Sequence, residues 1–157
     1  MNEITEKEAL NRMAAYCSTS EHCKAEVYEK LKRWGLQASE IERIITSLQS
    51  ENFIDEERYC RSFVSDKFRF DKWGKVKIAQ ALQLKKIPVN MAWKYLSEID
   101  ESEYLSILKQ LLQGKQKSIH AKDDFERTGK LIRFAMSRGF EMKDIKKCMQ
   151  VPEDLDQ

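Results

Sequence analysis

Leu31-Lys32-Arg33-Trp34-Gly35-Leu36 returns as Leu82-Gln83-Leu84-Lys85-Lys86-Ile87, and again as Ala135-Met136-Ser137-Arg138-Gly139-Phe140. The offsets are 51 and 53 residues. Carried along the chain, they set Val27 against Ile78 and Leu131, Ile41 against Ala92 and Ile145, and Ile45 against Leu96 and Met149. Lys24 meets Lys75 and Thr128. Apolar positions thus land on apolar positions through two helices of each copy. Self-similarity of this kind predicts an array of like units, each packing on its neighbours.

The punctuation around these segments is helical. Thr5-Glu6-Lys7-Glu8 and Ser39-Glu40-Ile41-Glu42 read as capping boxes, in which a hydroxyl accepts from a free backbone N–H and a carboxylate reaches back. Asp55 and Asp100 are N-caps by the same logic, and Asn90 is expected to cap a short helix. Ile54 and Tyr59 flank the Asp55 cap at the spacing of a hydrophobic staple. Gly35 closes a helix in the left-handed conformation, another ends at Gly139, and Pro88 stops a third. Gly114 to Asp123 is polar and reads as a loop.

Composition agrees. Five glycines and two prolines in 157 residues are too few for the many tight turns of an all-β protein, while 34 % charged residues interspersed with apolar ones suit amphipathic helices. The fold class is all-α: three tandem three-helix repeats, helix-turn-helix-like, in an elongated and curved array. The expected units are 1–54, 55–100 and 101–150, followed by an acidic tail, 151–157. No apolar run approaches the ~20 residues needed to span a bilayer, and the polar N-terminal residues do not read as a secretory signal. Cys17, Cys23, Cys60 and Cys148 form no CxxC pair, as expected of free thiols in a reducing cytoplasm.

The net charge of +2 hides an asymmetry: the three units carry −2, +3 and +1, so the middle one is the most basic. Lys67, Arg69, Lys72, Lys75, Lys77, Lys85 and Lys86 stand there against a single acid, Asp71, with Phe68, Phe70 and Trp73 between them. Such a segment suits DNA phosphates or an acidic protein groove, and equally a solvated helix face. Lys72, Lys75, Lys77, Lys85 and Lys86 are expected at the surface. Trp34 and Trp73, each beside a glycine at a helix end, are expected to seal the junctions between units. His22 and Cys23 lie near Cys17, but no second cluster completes a metal's ligand set. No phosphate-binding glycine loop and no nucleophile-base pairing stands out, so no metal, cofactor or catalysis is expected.

Phe53-Ile54-Asp55-Glu56-Glu57-Arg58-Tyr59, followed by Phe63-Val64, resembles the signature of the RecX family at the junction of its first two units. Trp73-Gly74-Lys75-Val76-Lys77-Ile78 and Leu82 to Ile87 are similar to the family's glycine-basic and Leu-x-x-Lys-Gly-Ile segments. The run from Lys24 to Gly35 looks like its opening helix. The resemblance covers residues 6–150 and is strongest in the middle unit. Two departures stand out: Lys86 replaces a usual glycine, and Cys23-Lys24 replaces the common start. The resemblance implies a modulator without catalysis of its own. Such a protein is a cytoplasmic monomer that binds the RecA filament on single-stranded DNA and restrains RecA recombinase, ATPase and co-protease activity. The competing expectation is a helical module that binds nucleic acid directly, without RecA; the modest net charge predicts weak DNA binding at most.

Overall fold

In the computed structural model, residues 3–155 are described. Residues 1, 2, 156 and 157, which belong to the expected N-terminal segment and acidic tail, lie outside them. Nine α-helices and one short 3₁₀ turn, and no strand, are found among the described residues. They are α1 Glu6–Thr19, α2 Lys24–Arg33, α3 Ala38–Ser50, α4 Glu56–Arg69, α5 Lys75–Leu84, α6 Val89–Leu96, α7 Glu101–Gln116, α8 Asp124–Ser137 and α9 Met142–Cys148. Helices pack chiefly within the triplets α1–α3, α4–α6 and α7–α9. No helix is long and apolar enough to cross a membrane among the described residues.

The repeated six-residue segment is a helix-closing motif. In all three copies the last residue donates its amide to the carbonyl of the first: Leu36 to Leu31 at 3.3 Å, Ile87 to Leu82 at 3.1 Å and Phe140 to Ala135 at 3.1 Å. The fifth residue is left-handed each time, with φ of 88° at Gly35, 61° at Lys86 and 96° at Gly139. This is the Schellman arrangement, which satisfies carbonyls left open at a helix end and buries an apolar pair across it. All six of those flanking apolar residues are buried, as are Val27, Ile78 and Leu131. Lys86 takes the turn without glycine's freedom. Lys86→Gly should therefore stabilise the fold by about 0.5–1 kcal/mol, after glycine's larger entropy loss is deducted; a denaturant midpoint unchanged or lowered would refute it.

Thr5, Asp55 and Asp100 cap as expected, each accepting the amide three residues on, at 3.0–3.1 Å. Other local expectations fail. α3 starts before Ser39: Gln37 is its cap, and the Glu40 carboxylate accepts the Gln37 amide at 2.9 Å. Pro88, not Asn90, occupies the cap of α6, because its fixed φ suits a helix entry and Asn90 falls inside. α7 runs through Gly114 to Gln116, since Leu108 and Leu112 stay on one buried stripe that carries the helix past the glycine. Ile54 and Tyr59 form no staple: Ile54 is buried in the core of the first triplet, Tyr59 in that of the second.

The core falls into two bodies. Ala9, Met13, Val27, Leu31, Ile41, Ile44 and Leu48 make one within the first triplet. The second runs unbroken through the other two triplets, from Tyr59 and Phe68 through Ile78 and Leu82 to Leu131 and Ile145. Its joint is aromatic: Tyr104 stacks on Phe68 with centroids 5.6 Å apart and meets Phe140 at 5.1 Å.

Candidate interaction surface

The N-terminus of α5 has no side-chain cap, because its cap residue is Gly74. The third triplet supplies what is missing. The Gly74 amide donates to the Arg138 carbonyl at 2.6 Å, Lys75 to the Tyr104 hydroxyl at 2.9 Å, and Val76 to the Gly139 carbonyl at 3.1 Å. Three orphan helix donors are thus satisfied by the neighbouring unit. Two glycines permit this approach. A Cβ on Gly74 would stand 2.3 Å from the Gly139 carbonyl carbon, and one on Gly139 would stand 2.4 Å from the Lys77 Cβ.

The first seam uses the same places with other chemistry. At the start of α2 the Lys24 amide donates to Glu56 at 2.8 Å, and the Cys23 thiol to the Lys85 carbonyl at 3.9 Å. Glu26 accepts the Cys23 amide at 3.1 Å and pairs with the Lys85 ammonium at 3.2 Å. Arg58 reaches back to Glu21 at 2.6 Å. Burial opposes the charge on Glu26, yet the Cys23 amide and Lys85 outweigh it and hold the carboxyl below its usual range. Burial raises Glu56 instead, against the pull of the Lys24 amide.

The seven basic residues singled out from sequence separate on this scaffold. Lys67 and Lys77 converge on Trp73, their ammonium groups 4.8 and 4.4 Å from its ring centroid, with Lys67 also paired to Asp71 at 3.1 Å. Lys75 lies over the Tyr104 ring at 4.9 Å. Arg69 turns to the third unit and meets Glu103 at 3.3 Å. Lys85 is tied to the first unit through Glu26. Lys72 and Lys86 stand at exposed left-handed turns. Of the five lysines expected at the surface, Lys72 and Lys86 are exposed, whereas Lys75, Lys77 and Lys85 are half-buried because they flank the seams. Phe68 is core, while Phe70 is 80 % exposed. Trp73 packs against the joint core of the second and third units; Trp34 packs against the core of its own unit.

Several buried groups near these contacts resist ionisation. Burial pushes the thiols of Cys23 and Cys60 up to about 11, and the Tyr104 hydroxyl up to about 12. All three have folded values above their unfolded ones. Their contribution to stability is complete below the unfolded values of about 8.5 for cysteine and 10 for tyrosine, and is lost as pH rises toward 11–12. The denaturant midpoint should accordingly fall between pH 9 and 12. Tyr104→Phe should flatten the part of that fall above pH 10; an unaltered profile would count against the buried hydroxyl.

Comparison with known proteins follows the same division of the chain. Residues 55–92 match the family model for the second three-helix domain of RecX, and residues 101–149 that for the third. A regulatory protein RecX from Prosthecochloris aestuarii is 29 % identical over 150 residues, covering 95 % of this chain and 96 % of the relative. One from Clostridium tetani is 31 % identical over 127 residues, where the match spans 79 % of this chain and 57 % of the longer relative. Two crystal structures share the fold. A regulatory protein RecX has a TM-score of 0.85 at 21 % identity, over 91 % of this chain and 72 % of the other. RecX from Lactobacillus salivarius has 0.82 at 20 % identity, over 96 % of both. Two domain models in their proper order on the second and third triplets, with similarity to a whole relative from end to end, lead to one conclusion: this chain belongs to the RecX family.

Proposed function

We propose that this chain is a cytoplasmic monomer that binds the RecA filament on single-stranded DNA and inhibits RecA recombinase, ATPase and co-protease activity. Membership of a family whose relatives are named regulatory proteins carries the reading. The architecture gives it a physical basis. Units joined in series can touch successive protomers of a filament, and several modest contacts then act as one multivalent ligand. Bridging protomers would resist the motions that accompany nucleotide turnover, and a ligand in the filament groove would exclude a second DNA. The lysine tips of the middle unit would face acidic protein surface or the DNA backbone, so affinity should fall with salt.

The test is DNA-dependent ATP hydrolysis and strand exchange by RecA, with the protein titrated in. Both rates should fall at sub-stoichiometric to stoichiometric ratios. Rates and filament length that stay unchanged would overturn the reading. One observation favours the alternative of direct nucleic-acid binding: Trp73 flanked by Lys67 and Lys77, with Phe70 exposed nearby in the chain, offers rings and cations of the kind that hold single strands. Tight oligonucleotide binding without RecA, steeply dependent on salt, would establish that alternative instead.

A further inference from the structure

The α5–α6 hairpin differs from its counterparts in charge and in what it exposes. From Lys72 to Ser97 the chain has six lysines and no acid, whereas α2–α3 and α8–α9 each contain carboxylates. Its surface is also apolar: Leu84 is 84 % exposed, Val89 62 % and Trp93 39 %. Between the two helices lies a hollow of about 150 Å³, lined by Val76, Ala79, Ile87, Val89 and Trp93 together with the amides Gln80 and Gln83. That is room for one aliphatic or aromatic side chain, and no charged group lines it.

A second observation points to the same place. Lys86 sits at the tip of the hairpin in the left-handed conformation that glycine occupies in both sister turns. Asn52 and Lys72 are left-handed too, but they have no glycine counterparts; backbone strain kept in one of three sister turns, where the other two use the relaxed residue, points to a side chain retained for use. Lys86 makes no ion pair among the described residues, while Lys85 and Lys94 are engaged by Glu26 and Glu57. An ammonium without an ion pair thus belongs to the residue just before Ile87, which lines the uncharged hollow, on an acid-free hairpin.

We infer that the α5–α6 hairpin is a protein-docking face: it takes an apolar side chain of the filament protein between Val89 and Trp93, and a neighbouring carboxylate on Lys86. The inference rests on the RecA reading above; it singles out Lys86 from the seven basic residues and adds Val89 and Trp93, which a count of basic side chains does not find. Complementarity decides the class of occupant. Single-stranded nucleic acid could set its phosphates on the lysines and stack a base on Trp93, but an acidic segment with an aliphatic anchor also fills the hollow against Val76, Ala79, Ile87 and Val89 and places its carboxylate on Lys86. Burial of such an anchor, ringed by contacts that exclude water, is how small patches gain most of their affinity.

The experiment is binding of fluorescently labelled protein to RecA filaments on single-stranded DNA, read by anisotropy, with a bare oligonucleotide in parallel. Val89→Glu and Lys86→Glu change exposed side chains, and denaturation of each variant reports whether the fold is kept. Each should weaken filament binding at least tenfold and leave oligonucleotide binding within twofold of the parent. Lys86→Gly should also bind filaments less well while being the more stable protein, which separates loss of the cation from loss of structure. If the parent binds filaments and both charge variants bind within twofold of it, the RecA reading stands and the docking face is refuted. If Val89→Glu weakens the bare oligonucleotide as much as the filament, the hairpin is a nucleic-acid surface and the inference is wrong. If the parent itself does not bind filaments, the RecA reading fails and the docking face falls with it.

Discussion

Gly139→Ala should lower the stability of the second and third units by about 3 kcal/mol or more, the sum of a left-handed residue bearing a Cβ and an overpacked seam. The three glycines at turns and seams separate those contributions. Gly35 shares the left-handed conformation, with φ of 88°, but a Cβ there would meet nothing within 4 Å. Gly35→Ala should therefore show conformational strain alone, about 1–2 kcal/mol. Gly74 has φ of −77° and no such strain, yet its added Cβ would lie 2.3, 2.4 and 2.5 Å from three backbone atoms of Gly139 and Phe140. Backbone atoms cannot rotate away as a flexible side chain does. Gly74→Ala should therefore force the seam apart, lose the bonds to Arg138, Tyr104 and Gly139, and leave α5 with bare donors. Urea denaturation of the three variants should rank Gly139→Ala and Gly74→Ala well below Gly35→Ala. Equal losses at all three would show that turn conformation, not the seam, governs these glycines.

Tyr104→Ala should remove about 3–5 kcal/mol, as expected for a buried aromatic truncated in a packed core. The distribution of the loss matters as much as its size. Tyr104 is the ring that joins Phe68 of the second unit to Phe140 of the third, and its hydroxyl takes the Lys75 amide. Amide hydrogen exchange should therefore show protection falling together from α4 to α9. Protection in α1–α3 should hold, because the first unit keeps a core of its own. Loss confined to α7–α9 would mean that the second and third units open separately. For the same reason a chain cut near residue 100 should not behave as two intact units lacking a third. The cut removes Tyr104, Leu131 and Phe140 from the core that the middle unit shares.

The periodic sequence determined the helices, their grouping in threes and the closing turns. Those follow from interactions within a few residues of chain: an aspartate three positions before an amide, a glycine or its stand-in four positions after a leucine or alanine, an apolar stripe at helical spacing. Leu31, Leu82 and Ala135 are buried alike because each copy repeats the same short-range geometry. Where the reading failed, at Ser39, Asn90 and Gly114, a neighbouring residue offered a rival cap or a stripe carried the helix onward. The family was legible too, because its signature is a run of adjacent residues from Phe53 to Tyr59. The basic segment was legible as composition, but not as a surface. Only tertiary packing separated Arg69 and Lys85, each held by a carboxylate of another unit, from Lys67 and Lys77 about one indole. Only packing decided that two seams built on equivalent positions differ, one a backbone contact between Gly74 and Gly139, the other a set of ion pairs around Glu26. The physical reason is distance along the chain: the partners across the seams lie 29 to 65 residues apart, so no local pattern announces which side chain will stand opposite which.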